Sequence, residues 1–132
     1  MMVAISFMKE ARFSLPRSIC NSLYQNLTTG GGTANTGGTA DPALSCGDGV
    51  VNHSKWFTVE GIATGTATVT VSQINNNPGL EMQIYTGTCG ALVSTGFCTT
   101  GIGPGGSMSL TFPTTLGTIY YIMVDGTSGN SE

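Results

Sequence analysis

The sequence predicts an all-β fold, a sandwich or barrel of short strands, and three observations carry that reading. First, the 132 residues include 20 Gly, 20 Thr and 12 Ser, and Gly costs a helix about 1 kcal/mol per position while Thr is also unfavourable. Second, from position 50 onward apolar and polar residues alternate with a period of two between turn signals, and no segment shows a helical period. Third, 39% of the residues are hydrophobic and only 8% charged, whereas disordered chains pair low hydrophobicity with high charge. The length suits one domain.

Taken in order, positions 1–15 form an N-terminal extended segment with two of the four basic residues, and 16–132 form the β domain. Val3, Ile5 and Phe7 fall on one face of a short alternating run. The zone up to Gly49 is rich in Gly, Thr and Asn; its low-complexity stretch at 28–39 reads as a loosely held strand with loops, or as a linker. Lys55, Trp56, Phe57, Thr58 and Val59 make an aromatic and β-branched strand closed by Glu60-Gly61. Ala67, Val69 and Val71 alternate strictly with Thr66, Thr68, Thr70 and Ser72, the mark of a half-buried strand. Asn75, Asn76, Asn77, Pro78 and Gly79 supply a turn, since Asn and Gly tolerate positive φ and Pro fixes its own. Leu80, Met82 and Ile84 then face one way and Glu81, Gln83 and Tyr85 the other. A further strand points Met108, Leu110 and Phe112 inward. The last strand, 119–124, is apolar on both faces and is expected to be central or covered.

The net charge is −3, and three of the four basic residues, Lys9, Arg12 and Arg17, lie in the first 17 positions, leaving Lys55 alone beyond them. A nucleic-acid partner is excluded, because such binding requires a cationic surface that displaces phosphate counterions. Membrane insertion is not expected: the apolar run at 3–8, interrupted by Ser6, is too short to span a bilayer. It also makes a poor signal peptide, since Lys9 and Glu10 follow where the apolar stretch should continue.

Cys20, Cys46, Cys89 and Cys98 show no CxxC spacing, and the chain has one His, so zinc is not expected. Cys89 and Cys98 flank a short segment containing Gly90 and Gly96, which suggests a local disulfide and leaves Cys20 to pair with Cys46. Four buried free thiols are the alternative. Disulfides point to an oxidising compartment, hence a secreted or cell-surface protein.

No constellation of catalytic residues is apparent, and neither an enzymatic activity nor a cofactor or metal is expected. Gly101-Ile102-Gly103-Pro104-Gly105-Gly106 fits GxGxxG, but a strand pattern follows where dinucleotide binding needs a helix, so it reads as a turn. His53 beside Ser54, with Asp48 nearby, has the residue types of a hydrolytic triad without a nucleophile elbow. Glu60 and Glu81 read as outward residues on a strand rim, not a glycosidase pair. Asp41, Asp48 and Asp125 are too scattered for a dense calcium loop. Trp56 reads as a core anchor, and Tyr85 and Tyr121 are the candidates for an exposed binding or interface surface.

One ordered series of patterns resembles a known family. Ser54-Lys55-Trp56-Phe57-Thr58-Val59-Glu60-Gly61, Thr68-Val69-Thr70-Val71-Ser72, Leu80-Glu81-Met82-Gln83-Ile84-Tyr85-Thr86-Gly87-Thr88-Cys89-Gly90, Cys98, Ser109-Leu110-Thr111-Phe112 and Gly117-Thr118-Ile119-Tyr120-Tyr121-Ile122-Met123-Val124-Asp125-Gly126 are similar to the bacterial pre-peptidase C-terminal domain. The resemblance covers about residues 19–132 and implies a jelly-roll-like antiparallel β-sandwich of secreted or surface proteins, without catalytic residues; some members bind calcium or aid attachment to insoluble substrates.

The family pattern continues past the position of Glu132 with one more alternating strand, so the sandwich is expected to lack its final strand, and an unpaired edge beside an apolar groove asks to be filled. Val3, Ile5 and Phe7 make the 1–15 segment the candidate donor strand, folding back in cis or entering a neighbour in trans. A head-to-tail contact that does not close yields a filament. The opposing possibility is that the chain is a fragment of a longer gene and 1–15 the end of an upstream region. The leading expectation is a non-catalytic extracellular structural module that self-associates as a homopolymer or joins neighbouring domains of a larger surface protein. The alternative is an accessory domain that holds a secreted hydrolase or adhesin against a polysaccharide or protein.

Overall fold

The computed structural model describes residues 2–7, 42, 44–47, 49, 51, 54–74, 79–88, 90–102 and 106–127, with the backbone alone for 2–7, 73–74 and 102. Seven strands follow one another: β1 (Met2–Phe7), β2 (Lys55–Glu60), β3 (Gly65–Ile74), β4 (Gly79–Thr88), β5 (Ala91–Ile102), β6 (Gly106–Thr114) and β7 (Ile119–Gly126). They form two antiparallel sheets, one of three strands in the order β1-β3-β6 and one of four in the order β2-β7-β4-β5. Every step between successive described strands except β4 to β5 crosses from one sheet to the other. Among the described residues this is an all-β, antiparallel β-sandwich, as expected.

The sheets close on each other because alternation gives each strand one apolar face. Ala67, Val69 and Val71 from β3 and Met108 and Phe112 from β6 meet Leu80, Met82 and Ile84 from β4, Tyr120, Ile122 and Val124 from β7 and Val59 from β2, with Leu110 and Phe57 packed at the margin. Each such side chain, fully buried, stabilises the fold by about 1.5–3 kcal/mol. Phe112 and Tyr120 cross the layer edge to face, with ring centroids 5.2 Å apart. The Tyr120 hydroxyl stays satisfied by accepting the Thr115 backbone N–H at 2.9 Å.

Turn chemistry also follows the sequence. Gly61 ends β2, donating to Thr118 O at 2.8 Å while its carbonyl accepts from Gly117 N at 2.6 Å. A side chain there would run into the Thr115 carbonyl, so glycine is required by proximity, not by φ. Pro113 lies in β6, an edge strand of its sheet, where a missing N–H costs no ladder bond on the open side. The apolar strand at 119–124 is central, as expected: β7 lies between β2 and β4. The Asn-rich turn at 75–78 lies outside the described residues, between β3 and β4.

One segment departs from the sequence reading. Residues 91–98, taken as part of a loop closed by a local Cys89–Cys98 bridge, belong to β5, a 12-residue strand. Ala91 pairs with Thr88 at the hairpin end and Cys98 with Gln83, five residues back along β4, so Cys98 lies about 17 Å from that end at roughly 3.3 Å per residue. Bridged cysteines hold their Cα atoms only about 4.4–6.8 Å apart.

Candidate functional site

Two regions position the residues singled out from the sequence: the open edge at β1, and the outer face of the four-stranded sheet. At the first, β1 pairs antiparallel with β3, placing Val3 opposite Val71, Ile5 opposite Val69 and Phe7 opposite Ala67. The candidate donor residues therefore occupy register positions facing the three β3 residues most deeply buried in the core. Met2, Ala4 and Ser6 lie opposite Ser72, Thr70 and Thr68. Among the described strands β1 has one neighbour, β3, and it stands at the end of its sheet.

The second region is the face of the four-stranded sheet turned away from the core. Leu44, Trp56, Tyr85 and Met123 form a small cluster there, with Val51, Leu92, Cys98 and Tyr121 packed around it. Trp56 is fully buried, its ring 5.4 Å from that of Tyr85. The described residues of 42–51 lie across this face as a strap. The Tyr85 hydroxyl donates to Pro42 O at 3.4 Å. Leu44 is inserted into the cluster, and Gly47 and Gly49 turn the chain at φ 69° and 70°, values that favour glycine. Gly47 also rests against the Glu81 carboxylate so closely that no Cβ fits between them.

Gln83 is the polar centre of this arrangement. It is completely buried, yet its Oε1 accepts from the Ser45 backbone N–H at 2.7 Å and from the Ser45 hydroxyl at 3.1 Å, while its Nε2 donates to Ser94 Oγ at 2.6 Å. Ser94 is delivered by a bulge in β5: Gln83 pairs with Cys98 and Tyr85 with Ser94, with Gly96 at φ 82° in the inserted turn. Thr95 Oγ1 donates to Ile84 O at 2.7 Å and accepts from Phe97 N at 3.3 Å, which fixes the bulge.

The disulfide closes on the same spot. Cys46 is bridged to Cys98, with Cα atoms 6.0 Å apart and a sequence separation of 52. This corrects both expected pairings, Cys89 with Cys98 and Cys20 with Cys46; Cys20 and Cys89 themselves lie outside the described residues. The physical reason is that Cys98 sits in mid-strand opposite Gln83, directly beneath the strap residues that Gln83 binds. A ring of this length is worth about 4 kcal/mol in the loop-entropy treatment.

Other expectations change with burial. Tyr85, a candidate for an exposed binding surface, is 1% exposed and is closed off by the strap; Tyr121 is half-buried against the same cluster. Glu81, read as an outward rim residue, is fully buried and lies at the register position of the equally buried Asp125, whereas Glu60 is exposed. Ser54 is buried, and His53 and Asp48 lie outside the described residues. Of the glycine stretch, Gly101 and Ile102 end β5 and Gly106 begins β6, so a strand follows it where a dinucleotide site needs a helix. Among the described residues, no group of three or more His, Cys, Asp or Glu is placed to hold a metal ion.

The sequence reading missed Leu44, Ser45, Gly47, Gln83 and Ser94 as the parts that fasten the strap. The available signal was the pair Gly47 and Gly49 beside Cys46, a tight turn anchored by a cysteine. Comparison of the chain with protein-family models, with curated proteins and with solved structures finds no match in any of the three.

Proposed function

We propose that this chain is a non-catalytic extracellular structural module whose copies join by exchanging strand β1. The observation that supports this most directly is the place of β1: an edge strand, bonded among the described strands to β3 alone and separated by positions 8–41, 34 residues, from Pro42, the first described residue held against the sheet. A strand on so long a connection enters the equivalent place in a second copy with the same register and the same main-chain hydrogen bonds. Loop closure adds little resistance, since its cost grows only slowly with length. Because donor and acceptor surfaces differ, the exchange is head to tail and propagates into a filament unless its rotation closes a ring.

The Cys46–Cys98 bridge suits an oxidising compartment, and no described helix is long and apolar enough to cross a membrane. The resemblance to pre-peptidase C-terminal domains of secreted and surface proteins supports the same setting. Electron microscopy and unboiled gel electrophoresis of the intact chain test the reading: filaments or SDS-resistant oligomers are expected, and deletion of residues 1–15 should leave soluble subunits that accept an added peptide of that sequence. An intact chain that stays monomeric at every concentration overturns it.

A second reading, an accessory domain that docks on a neutral polysaccharide, is favoured by one observation. The outer face of the three-stranded sheet carries hydroxyl pairs Thr68–Thr111 at 2.7 Å and Thr70–Ser109 at 2.8 Å, with no charged side chain among the described residues of β3 and β6. Retention of monomers on insoluble cellulose or chitin, lost when these hydroxyls are removed, is its test.

A further inference from the structure

The strap and the sandwich are built as separable layers. Among the described residues of 42–51 none belongs to the core between the sheets, while the outer cluster takes the buried Leu44 and the half-buried Val51 from it. The strap's described backbone hydrogen bond within itself is local, from Gly49 N to Cys46 O at 3.3 Å. Its described attachments to the sheet include the Ser45 bonds to Gln83, the Tyr85 hydroxyl on Pro42 O and the disulfide. Against these stands the cost of ordering an irregular segment with two glycines at positive φ, and glycine loses more backbone freedom than any other residue. Among these attachments the disulfide is the covalent one. The covered floor is unlike the core: it carries Glu81, Gln83 and the Tyr85 hydroxyl, groups that water solvates readily once uncovered. Cys46 and Cys98 are each only half-buried, so a small thiol reaches them.

We propose that the Cys46–Cys98 disulfide is a redox latch: its reduction by a dithiol frees the strap and bares the floor formed by Trp56, Glu81, Gln83, Tyr85 and Met123, while the two-sheet core stays folded. In the exchange a thiolate of the dithiol attacks one sulfur of the bridge and the S–S bond breaks. The second thiolate then attacks the reagent sulfur of the resulting mixed disulfide, closing the cyclic disulfide and expelling the other cysteine as its thiolate. Two electrons and two protons pass from the dithiol to Cys46 and Cys98, which end as thiols, and the reagent ends as a cyclic disulfide. The opened state is a local unfolding of the strap alone.

Trp56 is the only tryptophan in the chain and lies in the cluster that the strap closes, so it reports the opening. The intact protein is treated with dithiothreitol and followed by tryptophan emission, acrylamide quenching and far-ultraviolet circular dichroism. In parallel a Cys46→Ser/Cys98→Ser variant, which leaves Cys20 and Cys89 in place, is measured without reductant. The expected result is a red-shifted emission and a severalfold rise in quenching, with the β signal retained and the change reversed on reoxidation; the variant shows the opened signature from the start and no further shift with dithiothreitol. Unchanged emission in the reduced wild type overturns the proposal, because the strap then stays down without its latch. Loss of the β signal together with the emission change overturns it too, because the bridge then supports the whole sandwich. Should the variant not accumulate, the reduced wild type decides by the same two readouts.

Discussion

On the inner face of the four-stranded sheet, Leu80, Met82, Ile84, Tyr120, Ile122 and Val124 meet apolar partners from the opposite sheet. On its outer face Glu81, Gln83, Tyr85, Met123 and Asp125 are buried just as completely, but Tyr85 and Met123 pack against Leu44 of an irregular strap and Gln83 is hydrogen-bonded to its Ser45. The inner contact is non-directional and roughly proportional to area, so many side chains share it. The outer one depends on a few directed bonds and one covalent link. Burial alone therefore does not tell how a face is held: the inner face should resist single polar changes elsewhere and yield to cavities, while the outer face should do the reverse.

The largest expected effect belongs to the inner face. Phe112→Ala removes a side chain that is 1% exposed and packs edge to face on Tyr120, and aromatic-to-alanine changes in cores cost about 3–5 kcal/mol. Urea unfolding should show a loss of that size with an unchanged slope. A loss below about 1 kcal/mol, the ordinary level for a point change, indicates that the layer between the sheets is not the main source of stability. This face was legible in advance: Ala67, Val69 and Val71, then Leu80, Met82 and Ile84, then Met108 and Phe112 follow a strict period of two, and that period is a direct consequence of strand geometry.

The outer face was not legible, for a physical reason. On β4 the pattern Glu81, Gln83, Tyr85 is what a solvated face looks like, and only a cover from elsewhere makes it a buried one. That cover comes from the described residues of 42–51, distant in sequence and without periodicity, and its anchor is a disulfide whose partner depends on where β5 runs. Local spacing of the cysteines carries no such information. Gln83→Leu tests this face at nearly constant volume. It leaves the Ser45 N–H without its acceptor at 2.7 Å and removes the donor bonded to Ser94, and stranding such groups costs about 1–3 kcal/mol. Thermal unfolding should register the loss, accompanied by a change in Trp56 emission that Phe112→Ala, acting on the other layer, does not produce in the folded state. A stability equal to or above that of the wild type counts against a strap held by directed bonds.

The smallest effect is expected where neither kind of burial operates. Thr68 and Thr70 bond across to Thr111 and Ser109 on the exposed face of the three-stranded sheet. These hydroxyls exchange one another for water at little net gain, and valine is at least as good a strand residue as threonine. A Thr68→Val/Thr70→Val variant should therefore keep its stability within about 0.5 kcal/mol, the range typical of surface changes, as read by urea unfolding. The near-neutrality is what makes the variant useful. If this face docks on a neutral polymer, retention on insoluble polysaccharide falls while folding does not, and the loss is assignable to binding. If the module assembles through β1, retention is absent in both proteins, and the filaments of variant and wild type are indistinguishable, because the register of β1 on β3 uses backbone groups that the substitutions leave intact.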